Sequence, residues 1–221
     1  MDNRHSSIQE HIRTQFQIDR IAFFSDAVIA IAITLMVLEI KIPSFGEHTT
    51  LKEILSKYGW LISVHLAALF LSFITIGNLW IRHHELYEHI INYDKRLIKV
   101  NLYFLMTIMF LPISISFLFS TNNPPQLRMI LYFMNLGLCN LTYYLMLLVV
   151  YHRKKNFSAI AATEKTAKNK RMVLGAAIVF VLVSVLVAFN VNWFYYPFIG
   201  WWFFRRIWEG IVKWRKKSAQ D

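Results

Sequence analysis

Six stretches of this chain are apolar over roughly the length that crosses a membrane: 21–42, 58–81, 97–119, 127–151, 172–190 and 193–204. About 20 apolar residues in α-helical form span the hydrocarbon core, and a lone segment in lipid must satisfy its backbone polar groups internally, which only a helix does. The sequence therefore specifies an all-α membrane protein with six transmembrane helices. The sixth stretch is the shortest and is rich in Trp, so it reads either as a span extended to Trp214 or as a helix lying in the interface. With 56% hydrophobic residues, a chain of 221 residues is too apolar to bury its side chains as a soluble protein.

The basic residues orient these spans. Three lie in the leader, four in the second connection, seven in the fourth and six in the tail, twenty of the 24 Lys and Arg on one side. Lys41, Lys52, Lys57 and Arg128 fall on the other. By the positive-inside rule both termini are cytoplasmic. The formal charge of +11 then reflects topology and contact with anionic lipid, and implies no nucleic-acid partner.

Ile8, Ile12 and Phe16 recur every four residues in the leader, the spacing of a short amphipathic helix on the membrane face or against a neighbouring loop. A leader of twenty mostly polar and charged residues precedes the first apolar run, which ends in Glu39, Lys41 and Pro43, not in a small-residue cleavage site, so the first span is expected to persist. Pro112 is expected to kink the third span, and Asn122-Asn123-Pro124-Pro125 to turn the chain between spans three and four. Cys139 is the only cysteine, which excludes an intrachain disulfide. With no internal repeat, the chain reads as a leader (1–20), one membrane domain (21–214) and a basic tail (215–221).

Alternate ends of consecutive spans share a level. Arg20, Ser25 and Asp26 begin span one, Trp80, His83 and His84 end span two, and Asn101 lies one turn into span three, so these groups can meet. An intramembrane carboxylate is costly and faces a partner, water or a bundle interior. Arg20 and Asp26 are six residues apart, about 240° around a helix, so each is expected to pair across helices. Trp80 and His84 share a face. His84-Glu85-x-x-Glu88-His89 has the wrong spacing for a zinc-hydrolase helix, which needs its second His four residues after the first. No metal, no cofactor and no catalytic arrangement is implied, and the cluster reads as a structural and gating hydrogen-bond network. His65, alone in the middle of span two, reads as a hydrogen-bonded core residue.

Beyond Asp26, the residues Ile31, Leu35 and Leu38 form one stripe of span one, with Ala30 and Thr34 beside it. Such a stripe by itself suits lipid contact or core packing. The chain resembles, however, the bacterial members of the lysosomal potassium-channel family known as transmembrane protein 175. Arg20-x-x-x-Phe24-Ser25-Asp26 matches that family's first-span motif, Trp80-x-x-His83-His84 matches at the end of the second, and the six-span layout covers nearly the whole chain. The resemblance implies a homotetramer in the bacterial inner membrane whose first helices line a path for potassium. Ile31, Leu35 and Leu38 would face the pore, Thr34 would lie near the conducting route, and Arg20, Phe24, Ser25, Asp26, Trp80, His83, His84 and Asn101 would brace it. No Thr-Val-Gly-Tyr-Gly filter is present and no glycine lies near Thr34, so no re-entrant carbonyl filter is expected. A hydrophobic ring that gates by dewetting takes its place. The implied function is a leak-type cation channel, with membrane lipid and monovalent cations as its other partners. A secondary transporter or proton carrier using Asp26 and the nearby His residues is the alternative.

Overall fold

The computed structural model describes residues 2–38, 50–119, 123–152, 157–158 and 164–189. Over them the chain forms six α-helices: α1 (Asp2–Leu38), α2 (Leu51–Tyr87), α3 (Lys95–Met109), α4 (Leu111–Phe119), α5 (Pro125–Val150) and α6 (Glu164–Ala188). They do not correspond one to one with the six apolar stretches, because the third stretch supplies both α3 and α4. The sixth stretch, the basic tail, Asn122 and the outer segment up to residue 49 lie outside the described residues, as does the side chain of His65. Four helical stretches among the described residues are long and apolar enough to cross a membrane: Ile8–Leu38, Lys95–Phe119, Pro125–Val150 and Thr166–Ala188. The uncharged run 58–81 lies inside the 37-residue helix α2.

Local chemistry sets the helix ends. α1 contains neither Gly nor Pro, so the leader and the first apolar run form one unbroken helix, and the expected boundary near residue 20 is a change of composition within it. α2 opens with a capping box in which the Thr50 hydroxyl accepts from the Glu53 amide at 3.4 Å and the Thr50 amide donates to the Glu53 carboxylate at 2.9 Å. The backbone and then the side chain of Thr50 hold the Glu53 carboxyl below the usual carboxylate range. Asp94 caps α3, its carboxylate accepting from the amides of Arg96 and Leu97, both at 2.9 Å. Pro125 occupies the first turn of α5, where its missing N–H costs nothing.

The kink expected at Pro112 is a full break between α3 and α4 at Phe110. Proline has no N–H to offer the carbonyl four residues back, and its ring crowds that carbonyl. The Phe110 amide ends α3 on the Met106 carbonyl at 3.3 Å, and the Ser114 amide restarts the ladder on the Phe110 carbonyl at 3.0 Å. Asn135 of α5 donates to the Ser114 hydroxyl at 3.1 Å, which fixes the break against its neighbour.

α5 is the organising element, packing along α6, α3 and α4, whereas α1 packs on α2, α3 and α4. α2 rests on α1 and, more lightly, on α4. Gly137 sets the approach of α5 to α6: a Cβ placed there would stand 2.8 Å from a γ-methyl of Val181 and 3.4 Å from its backbone nitrogen. Small residues at such crossings let two helices gain dispersion contact, which replaces the hydrophobic effect that lipid cannot supply. Polar pairs add to this, as where Thr107 of α3 meets Thr142 of α5 at 3.3 Å inside the core. Beyond α2, the Ile91 amide donates to the Phe157 carbonyl at 2.9 Å and pins residues 157–158 beneath the bundle.

Candidate functional site

The two faces of α1 differ sharply. Ser25, Ile29, Ala32 and Met36, spaced four, three and four apart, are buried against the neighbouring helices. Phe24, Ile31, Leu35 and Leu38 are exposed on the single chain, Leu38 at 77%. Thr34 is exposed too, and its hydroxyl donates to the carbonyl of Ile31 in its own helix at 2.9 Å. The whole proposed pore stripe therefore lies on the side of α1 that no other described residue of the chain covers.

On the buried face, three helices are joined by one directional chain of hydrogen bonds. The Asn101 amide nitrogen on α3 donates to the Ser25 hydroxyl on α1 at 2.9 Å, and Ser25 donates in turn to the Ile21 carbonyl at 2.8 Å. The Asn101 carbonyl oxygen can only accept, so His83 Nε2, 2.9 Å away on α2, carries the proton of that contact. All three side chains are buried, at 1% exposure or less. The His83 ring is held by stacking on Phe104 with centroids 5.5 Å apart and on Tyr87 at 4.5 Å. A polar chain with every member paired is the form that lipid-embedded packing tolerates.

Asp26 belongs to a second contact at the same level. Trp80 Nε1 on α2 donates to its carboxylate at 2.8 Å, and the indole stacks on His84 with centroids 5.5 Å apart. The cross-helix partner of Asp26 is therefore an indole N–H. Arg20 and Phe24 are exposed and take no part in these hydrogen bonds. The structure thus gathers Ser25, Asp26, Trp80, His83, His84 and Asn101 and leaves Arg20 and Phe24 on the surface of the single chain. Phe24, seven residues before Ile31 and two heptads before Leu38, continues the exposed stripe.

A third set was invisible to the spacing argument. Arg82 lies over the ring of Tyr143 on α5, 5.4 Å from its centroid, and donates to the Asn140 side-chain oxygen at 3.4 Å. The Tyr143 hydroxyl donates back to the Arg82 carbonyl at 2.8 Å. In the sequence Arg82 counts as one more loop cation. Its signal is its place between Ile81 and His83, too close to the apolar run to be freely solvated.

Chemically the site has hydrogen-bonded braces at Ser25 and Asp26 of α1 and an apolar, uncovered stripe from Phe24 to Leu38. Residues 20–112 match the family model for the endosomal/lysosomal potassium channel TMEM175. A curated potassium channel from Streptomyces collinus is 37% identical over 93 residues, 42% of this chain and 43% of that protein. The endosomal/lysosomal proton channel TMEM175 of Gallus gallus is 36% identical over 104 residues, 43% of this chain and 20% of that one. The match thus spans less than half the length of either relative. In three dimensions the chain is similar to a lysosomal potassium-selective channel TMEM175 homologue from Chamaesiphon minutus, with a TM-score of 0.54 and 24% identity over 84% of this chain and 98% of that one. Over residues 20–112 the chain is thus similar to the TMEM175 family, and the chain as a whole has the fold of the solved Chamaesiphon homologue.

Proposed function

We propose that four copies of this chain form a leak-type, potassium-permeable cation channel in a bacterial inner membrane, with six crossings per chain, both termini cytoplasmic and α1 of each copy lining the pore. The observation that carries the reading is the uncovered face of α1, where Phe24, Ile31, Leu35 and Leu38 are all exposed on the single chain. The names of the Streptomyces and Chamaesiphon proteins, both potassium channels, support it. Rings of Ile31, Leu35 and Leu38 about a symmetry axis form a constriction that excludes water when narrow, and conduction follows its wetting. Selectivity is modest, because a larger cation gives up its hydration shell at an apolar ring more readily, with the Thr34 hydroxyls assisting. Asp26, bound to Trp80, and the Ser25–Asn101–His83 chain hold the pore helices at a fixed tilt and do not bind the ion.

The test is a planar bilayer carrying the purified protein under a potassium gradient. Discrete current steps that reverse near the potassium potential are expected. Smooth, stepless flux coupled to a pH gradient would establish the carrier reading instead. Since the Gallus relative is named a proton channel, proton flux is measured in the same vesicles with a pH-sensitive dye.

A further inference from the structure

We propose that Arg82 and Tyr143 form a clamp that sets the resting tilt of the pore helix by fixing the end of α2 to α5. The inference rests on the channel reading above and deepens it. Arg82 and Trp80 are two residues apart, about 200° around the helix. α2 therefore directs Trp80 toward Asp26 of α1 and Arg82 away from it, toward α5. His83, between them in angle, reaches Asn101. The last two turns of α2 thus stand between the pore helix and α5, the helix around which α3, α4 and α6 pack.

α2 packs mainly on α1, and side chains tie it to α5. Higher up, Tyr132 of α5 meets Thr75 of α2. At the lower end the connection is reciprocal: Arg82 gives its guanidinium to the Tyr143 ring and to Asn140, and Tyr143 returns its hydroxyl to the Arg82 carbonyl at 2.8 Å. Asn140 is held in place by its own amide, which donates to the Leu136 carbonyl at 2.9 Å. A planar guanidinium both stacks and donates in a fixed fork, which the ammonium of Lys cannot do. Arg82 Nε meanwhile donates to the Asn78 carbonyl in its own helix at 3.3 Å, so the side chain is braced at both ends.

Tyr143 is also one wall of a cavity of about 480 Å³ between the ends of α2, α5 and the start of α6, bordered by Glu85, His89, Tyr151 and Lys168. Tyr143 itself is buried, so only an edge of it borders that space. A packed contact of this kind switches between discrete arrangements and does not deform continuously. Release of Arg82 from Tyr143 frees the end of α2, and with it Trp80 and His83, to follow α1.

The experiment is single-channel recording of the full-length protein with Tyr143→Phe, Arg82→Lys and the two combined. Tyr143→Phe removes one hydroxyl and keeps the ring, so the fold survives it. Each single change is expected to shift open probability in the same direction by about three- to tenfold, the range one intramolecular hydrogen bond supplies, with unitary conductance and reversal potential unchanged. The combined change is expected to add less than the product of the two. Wild-type open probability in both single variants overturns the clamp, and so does altered unitary conductance, which would put Arg82 on the ion path. If the wild-type protein passes no current, the channel reading fails separately. The clamp is then judged by the spin-label distance between Cys residues placed at Phe16 and Leu148 in a Cys139→Ala background, which Tyr143→Phe should broaden. An unbroadened distribution overturns it.

Discussion

The α5–α6 crossing and the meeting of α1, α2 and α3 are held by different physics. At the crossing, Gly137 brings two helices close enough for many weak contacts, each insensitive to small rotations, and their sum is what counts. Where the first three helices meet, a few hydrogen bonds through Ser25, Asn101 and His83 fix rotation and depth, because a donor turned away from its acceptor loses the whole interaction. The lesson is one of division: dispersion builds a frame that can be loaded, and directional bonds sit beside the part that has to be set to an angle.

The sharpest way to break this contrast is Asn101→Leu. It leaves the His83 N–H buried without its acceptor, at a cost of about 1–3 kcal/mol, and the Ser25 hydroxyl without its donor. A large change in open probability should accompany the lower thermal stability, because the loss falls beside α1. If melting in detergent falls while gating stays as in the wild type, the network is glue and nothing more. Gly137→Ala should be next in size, losing about 1–2 kcal/mol by overpacking against the stiff Val181 side chain, with gating unaffected. Adding Val181→Ala should recover most of that loss, and a melting curve that does not recover would show that the Val181 backbone, 3.4 Å away, is the real obstacle. The smallest effect is expected of Thr34→Ala. Its hydroxyl serves its own helix at 2.9 Å, so stability should move by less than about 0.5 kcal/mol. The reversal potential in mixed potassium and sodium should shift toward sodium, and an unshifted one removes Thr34 from selectivity.

How much of this was legible in the sequence follows the same division. That Ser25, Asp26, Trp80, His83 and Asn101 share a level could be read from span order alone, since consecutive antiparallel helices bring alternate ends together. Pro112 likewise announced the break at Phe110, because a missing donor acts locally. What each polar group would choose was less visible. Asp26 takes the Trp80 N–H in preference to a cation, and Arg20 stays outside, because partner choice depends on helix rotation about its axis, which no spacing encodes. Gly137 and Arg82 were missed for a related reason: a glycine in an apolar run and an arginine at its end look ordinary until the neighbouring helix is in place. The spacing of Ile8, Ile12 and Phe16 reads as a short amphipathic helix on the membrane face or against a neighbouring loop, although nothing in the leader breaks the helix that continues to Leu38.

That continuity has a mechanical meaning. A rod of 37 residues is about 55 Å long at 1.5 Å per residue, and without a joint between Asp2 and Leu38 it cannot bend at one point to spare another. A sideways push on the protruding portion around Ile12 is therefore geared through the pivot at Ser25 to an opposite swing at Ile31 and Leu38. Whatever grips the outboard arm of such a beam would hold the proposed aperture at its other end.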